Sequence, residues 1–343
     1  MALSALSYFG VVPALQHLYN AGATWHMDKW RKALTLAMVF PGQGSQSIGM
    51  QADLAQEFPE VLEVYAEASE QLGFDLWQAA QAGPQEKLDE TEITQPVMLS
   101  AGVAAWKAWH KAGGPRPAQL AGHSLGEYTA LVCAGALEFA DAIRLVRKRA
   151  ELMQSAVPAG TGAMAALLGL EDDAVIEVCQ QAAAGEVVSA VNFNAPGQVV
   201  IAGDKSAVER ANEMAKAAGA KRAIMLSVSV PSHCALMTNA AAELMTALDS
   251  TRIADTAIPV VSNVDVLPYS NSAEIRDGLY RQVFSPVRWV ESIRYLVSNG
   301  ADQLVECGPG KVLAGLTRRI DRSLATGFVE NPESLSKALQ LSV

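Results

Sequence analysis

Three short apolar runs, each ended by a glycine-bearing loop, constrain this fold more than any other feature of the chain. Leu34–Phe40 stops at Pro41-Gly42, Gln119–Gly122 leads into His123-Ser124-Leu125-Gly126, and Gln303–Glu306 stops at Cys307-Gly308-Pro309-Gly310. Short runs that are apolar throughout, rather than alternating, read as strands buried on both faces. Helical patterns fill the space between them. These cover about 52–112 (with breaks near Gly73, Gly83-Pro84 and Gly113-Gly114), 126–134, 138–155, Leu236–Leu248 and most of 272–299, with a further strand at Ile258–Ser262. Strands alternating with helices predict an α/β fold whose mostly parallel sheet is covered by helices.

One stretch departs from that rhythm. Ala163–Leu168 reads as a strand, Glu171–Ala184 as a helix, Val187–Asn192 and Gln198–Ala202 as strands joined by a turn at Asn194–Gly197, Lys205–Ala218 as a helix and Arg222–Leu226 as a strand. The order β-α-β-β-α-β is a ferredoxin-like unit. It predicts a small subdomain at 159–228 inserted into a large catalytic unit made of 33–158 and 229–343. Residues 1–32 form an apolar leader without the basic start of a signal peptide, expected to be disordered or to derive from cloning, with His26-Met27 as a junction or an upstream start.

Composition narrows the function. A formal charge of −10 over 343 residues argues against general nucleic-acid affinity. The four cysteines are scattered without a C-x-x-C pair, which fits neither a disulfide framework nor a zinc site and points to a cytoplasmic protein. No apolar run approaches the roughly 20 residues needed to span a bilayer.

Gly122–Gly126 matches G-x-S-x-G between a predicted strand and a predicted helix, the setting of a nucleophile elbow. There the turn lifts the Ser124 hydroxyl clear of the sheet, and the following helix aims its first N–H groups, Leu125 among them, at developing negative charge. The five letters alone also describe an ordinary glycine-rich turn. A nucleophilic serine needs a base, and the chain has five histidines. His17 and His26 lie in the leader, His110 sits at a solvated helix end, and His123 leaves the strand on the side opposite Ser124. That leaves His233, in Val230–Cys234. Asp265 is available as a third member, but nothing singles it out, and a backbone carbonyl is the preferred partner for the imidazole. A second oxyanion donor is expected from the loop Phe40–Gln46, whose glycines allow close approach; it lacks the lysine of a phosphate loop. Arg149 ends the basic run Arg144, Arg147, Lys148. It reads either as part of a solvated face or, since it falls among Ala150, Leu152 and Met153, as an inward grip for a carboxylate.

Taken together, FPGQGSQ (40–46), TQP (94–96), GHSLGEY (122–128), Arg147–Arg149, NFNAPGQVVIAG (192–203), VPSHC (230–234), Gln282–Pro286 and ECGPG (306–310) resemble malonyl-CoA:acyl carrier protein transacylases over roughly residues 34–320. The resemblance implies a hydrolase-like α/β domain with an inserted ferredoxin-like subdomain, and malonyl transfer through an ester on Ser124 with His233 as base. It further implies an oxyanion hole from the N–H groups of Gln43 and Leu125, Arg149 as holder of the malonyl carboxylate, and Gln282 as source of the oxygen that orients His233. Malonyl-CoA and acyl carrier protein would be the partners of a monomer that needs no cofactor, metal or membrane and serves fatty-acid synthesis. A serine thioesterase or lipase-like hydrolase, or a polyketide acyltransferase, is the alternative. Docking of an acidic carrier is expected at Lys216, Lys221, Arg222, Arg288, Arg318 and Arg319.

Overall fold

The computed structural model describes residues 35–228 and 230–341; the leader and the start of the first predicted strand lie outside them. Nine strands are found among these residues. They are β1 (Leu36–Phe40), β2 (Gln119–Gly122), β3 (Gly162–Leu168), β4 (Val188–Ala195), β5 (Gln198–Asp204), β6 (Arg222–Met225), β7 (Val260–Val261), β8 (Gln303–Cys307) and β9 (Ala325–Val329). They form a five-stranded sheet in the order β7-β2-β1-β8-β9 and a four-stranded sheet in the order β4-β5-β3-β6. Every pairing of the first sheet is parallel.

The parallel sheet is apolar on both faces because helices cover both. Met38 and Phe40 point into one core with Leu99, Tyr128 and Val305, while Ala37 and Val39 point into the other with Trp289, Leu296 and Leu304. This is the period of two expected of a strand, with no face left for water. Register then fixes where the loops emerge. Phe40 lies opposite Gly122 and Val39 opposite Glu306, so the Phe40–Gln46 loop, the Ser124 turn and the Cys307–Gly310 loop leave the same edge. Carboxyl-end loops of this kind are where open α/β sheets bind ligands.

The four-stranded sheet is antiparallel, and its β3–β6 run carries helices at Asp172–Ala183 and Lys205–Ala217, inserted between β2 and β7 of the parallel sheet. Ala165, Leu167, Val199 and Ile201 face those helices, whereas Met164, Val200 and Ala202 face the other way, toward Cys234.

Several boundaries differ from the sequence reading. β4 runs on to Ala195 through two register shifts, so Pro196-Gly197 alone makes the turn. The strand expected at Ile258–Ser262 shrinks to Val260–Val261, which pairs with β2 over those two residues and meets only an isolated bridge to Pro268 on its other side. β9 and the helix Pro332–Leu341 had no counterpart in the reading; β9 extends the sheet beside β8. Pro96 sits inside the helix Thr91–Lys111 and leaves the Glu92 carbonyl without its helical donor. Arg147 fills the gap, donating to Glu92 O at 3.0 Å and to its carboxylate at 2.7 Å. That bond ties the helix to Phe139–Ser155, which carries Arg149.

Candidate active site

Ser124 occupies the turn between β2 and the helix Gly126–Cys133, with φ +53°, a left-handed conformation that a non-glycine residue adopts only when its surroundings impose it. The flanking glycines are required by space. A Cβ on Gly122 would lie 1.9 Å from the Gly126 carbonyl, and one on Gly126 would lie 2.0 Å from Phe40 O. The helix thus starts hard against β1 and β2, which projects the serine outward. Gly42 also packs too close for a side chain: its Cβ would fall 2.5 Å from His123 O and 3.7 Å from Leu125 N. This brings the Gln43 loop beside the elbow, and the main-chain N–H groups of Gln43 and Leu125 have no acceptor among the described residues.

His233 is buried, with Nε2 2.7 Å from Ser124 Oγ and Nδ1 2.7 Å from the main-chain oxygen of Gln282. A carbonyl only accepts, so Nδ1 carries the proton and Nε2 is free to receive one from Ser124. Burial, reinforced by the charge of Arg149, pushes the imidazole pKa down to about 3, which keeps it neutral. Asp265 is not behind it; both its oxygens accept from Arg281, at 2.9 and 2.6 Å. His123 bonds Asn194 Oδ1, 2.8 Å distant, rather than Ser124, and lies edge-on to Trp289.

Arg149 is 2 % exposed, unlike Arg144 and Lys148 of the same helix. Its guanidinium donates to Gln95 Oε1 at 2.8 Å, Gln282 Oε1 at 3.0 Å and Ser124 Oγ at 3.3 Å, and sits 5.4 Å from the Tyr128 ring centre. All three acceptors are neutral, and its buried Nε has no partner. A guanidinium held this way beside the Ser124 hydroxyl has donors for an incoming carboxylate.

Three residues here were not marked by the sequence reading. Asn263 accepts from Ser124 N at 2.8 Å and donates to Gly122 O at 2.6 Å, bracing the turn. Glu127, fully buried, accepts from Gln282 Nε2 at 2.6 Å, from the Tyr269 hydroxyl and, at 3.4 Å, from Asn263 N. Burial pushes its pKa up to about 7 against the pull of these donors. Glu127 lies within GHSLGEY, but an acid in the first turn of a helix ordinarily reads as solvated; Asn263 and Tyr269 carried no signal.

A cavity of about 130 Å³ opens over the site, with Ser124, His233, Arg149, Gln43 and Leu125 on one side and Met164, Asn192 and Val200 of the four-stranded sheet on the other. Among the described residues no group of three or more His, Cys, Asp or Glu is placed to hold a metal, and no helix is long and apolar enough to cross a membrane. Of the six basic residues expected at a docking face, Lys216 pairs with Glu213 and Arg288 with Glu291, while Arg318 bonds Thr326 and Arg319 bonds Gln198.

The model of the acyl transferase domain family matches residues 37–326. The malonyl CoA-acyl carrier protein transacylase of Escherichia coli K12 is 55% identical over 305 residues, covering 89% of this chain and 99% of that one. An acyl carrier protein S-malonyltransferase from Vibrio cholerae, solved by crystallography, is 55% identical with a TM-score of 0.86, over 88% of this chain and 99% of that one. A malonyl-transacylase in complex with its type II PKS acyl-carrier protein gives 53% identity and a TM-score of 0.88, over 90% and 99%. Identity of this size over nearly the whole length of those proteins leaves one assignment: the chain belongs to the malonyl CoA-acyl carrier protein transacylase family of acyl transferase domains.

Proposed function

We propose that this protein transfers a malonyl group from malonyl-CoA to the phosphopantetheine thiol of an acyl carrier protein through an ester on Ser124, supplying extender units for fatty-acid synthesis. The observation that carries the reading is Arg149, a buried guanidinium with neutral partners 3.3 Å from the hydroxyl that would bear the acyl group. His233 Nε2 takes the Ser124 proton as Oγ attacks the thioester carbonyl, and the N–H groups of Gln43 and Leu125 hold the oxyanion. Collapse breaks the C–S bond, and the proton passes from His233 to the departing coenzyme A thiolate. The carrier thiol then gives its proton to His233, attacks the malonyl ester and restores Ser124. Arg149 holds the malonyl carboxylate through both halves, and the Gln282 main-chain oxygen keeps the His233 tautomer.

Residues 33–158 and 229–343 are read as the catalytic unit, with 159–228 as its roof. The four cysteines are unpaired, which fits a reducing cytoplasm. The reaction as written needs no cofactor beyond its thioester substrate. A hydrolase with the same serine would pass the acyl group to water instead. Purified protein mixed with malonyl-CoA should release one equivalent of coenzyme A and stall until a carrier thiol is added; continuous release without an acceptor would favour the hydrolase.

A further inference from the structure

We propose that Glu127 is a positioning residue for acyl selectivity: it fixes the orientation of the Gln282 side-chain amide and so keeps Arg149 aimed at the nucleophile. The inference rests on the reading of Ser124 as a malonyl carrier. Gln282 Nε2 faces two acceptors, Glu127 Oε2 at 2.6 Å and Ser124 O at 2.9 Å. The NH2 end of the amide must therefore point at them, which leaves Oε1 toward Arg149, 3.0 Å away. Were the amide to rotate, its NH2 would meet the guanidinium donor to donor and its oxygen would meet two acceptors, the Glu127 carboxylate foremost and Ser124 O beside it. Glu127 is in turn held by the Tyr269 hydroxyl and Asn263 N, so its place is set by groups outside the cavity. The interposed amide also keeps carboxylate and guanidinium apart, which leaves Arg149 free of a resident anion that would compete with the substrate.

The role is that of an acceptor, and a neutral acceptor should fill it. In Glu127→Gln the amide oxygen can face Gln282 while its NH2 faces the Tyr269 hydroxyl, which both donates and accepts, at the cost of the long Asn263 bond. Glu127→Met keeps the volume and removes the acceptor. Single-turnover acylation of Ser124 by malonyl-CoA and by acetyl-CoA is the readout, on full-length protein. Glu127→Met is expected to lower the malonyl-to-acetyl rate ratio by at least about tenfold while acetyl transfer stays near wild type, because a small misplacement of a binding group suffices for such a loss. Glu127→Gln should restore most of the ratio. An unchanged ratio in Glu127→Met, an equal fall for both acyl groups, or a Gln variant no better than Met would overturn the proposal. Should the Met variant not fold, Glu127→Asp, which draws the carboxylate back by one methylene, is expected to lose the ratio severalfold, and an unchanged ratio there overturns the proposal equally. Wild-type protein that shows no malonyl ester would sink the underlying reading and this inference with it; a selective wild type beside an equally selective Met variant sinks the inference alone.

Discussion

The two sheets meet at one cavity and bring it different things. The parallel sheet brings polar machinery. Its strands end at a common edge, where the loops after β1 and β2 deliver Ser124 and two main-chain N–H groups without acceptors among the described residues. The antiparallel sheet brings its face, and from a face only side chains protrude: Met164 and Val200, with Asn192. Topology accounts for the difference. At the carboxyl edge of a parallel α/β sheet, loops and helix N-termini leave backbone donors unpaired, whereas the face of an antiparallel ladder has its donors already paired. Chemistry should therefore depend steeply on the first sheet, and the second should mainly shape the space above it.

Substitutions can break that division of labour. Ser124→Ala is expected to cost about 10⁶-fold in transfer, as loss of a nucleophile does in serine enzymes; retention of even a hundredth of the activity would move the nucleophile elsewhere. Arg149→Ala should lower malonyl transfer about 100-fold and leave acetyl-CoA a better relative substrate, since the variant loses the carboxylate's partner and no longer buries a charge that acetyl leaves unmatched. Equal losses for both esters would contradict the assignment. On the opposite wall, Met164→Ala and Val200→Ala should raise KM only severalfold with kcat little changed, because they remove packing and no polar partner. A kcat collapse in either would show that the antiparallel sheet does more than roof the site.

The pH profile sharpens the same contrast at the smallest scale. An isolated imidazole gains its proton below about pH 6.5. His233 is depressed to about 3 by burial and the facing Arg149, with a smaller push from His123, so it remains an unprotonated base well below neutrality. The kcat/KM for Ser124 acylation should then hold level as pH falls from 7 to about 5. An inflection near 6.5 would mean that His233 is more exposed in the working enzyme than in this fold.

How much of this was legible in the sequence depended on the range of the interactions. The Ser124 turn was readable because its signature is local: Gly122 and Gly126 stand two residues either side of Ser124, and a Cβ on Gly122 would fall 1.9 Å from Gly126 at the helix start, four residues on. His233 was reachable by elimination, since few histidines were available. Arg149 stayed undecided from spacing alone, as its burial depends on Gln95 and Gln282, 54 and 133 positions away. Glu127 was invisible for the same reason. Its partners Tyr269 and Gln282 lie 142 and 155 residues along the chain, and nothing near Glu127 announces that it is shut away from water. β9 was missed because Ala325–Val329 includes Thr326 and Gly327, too mixed to read as an apolar run, and is strand through its pairing with β8.

The most direct test of the central claim is the intact mass of the protein after brief exposure to malonyl-CoA, with Ser124→Ala alongside. The wild type is expected to gain the mass of a single malonyl group and to lose it when carrier thiol is added, and the variant to gain nothing. An unmodified wild type, or an adduct that persists in Ser124→Ala, would contradict the claim.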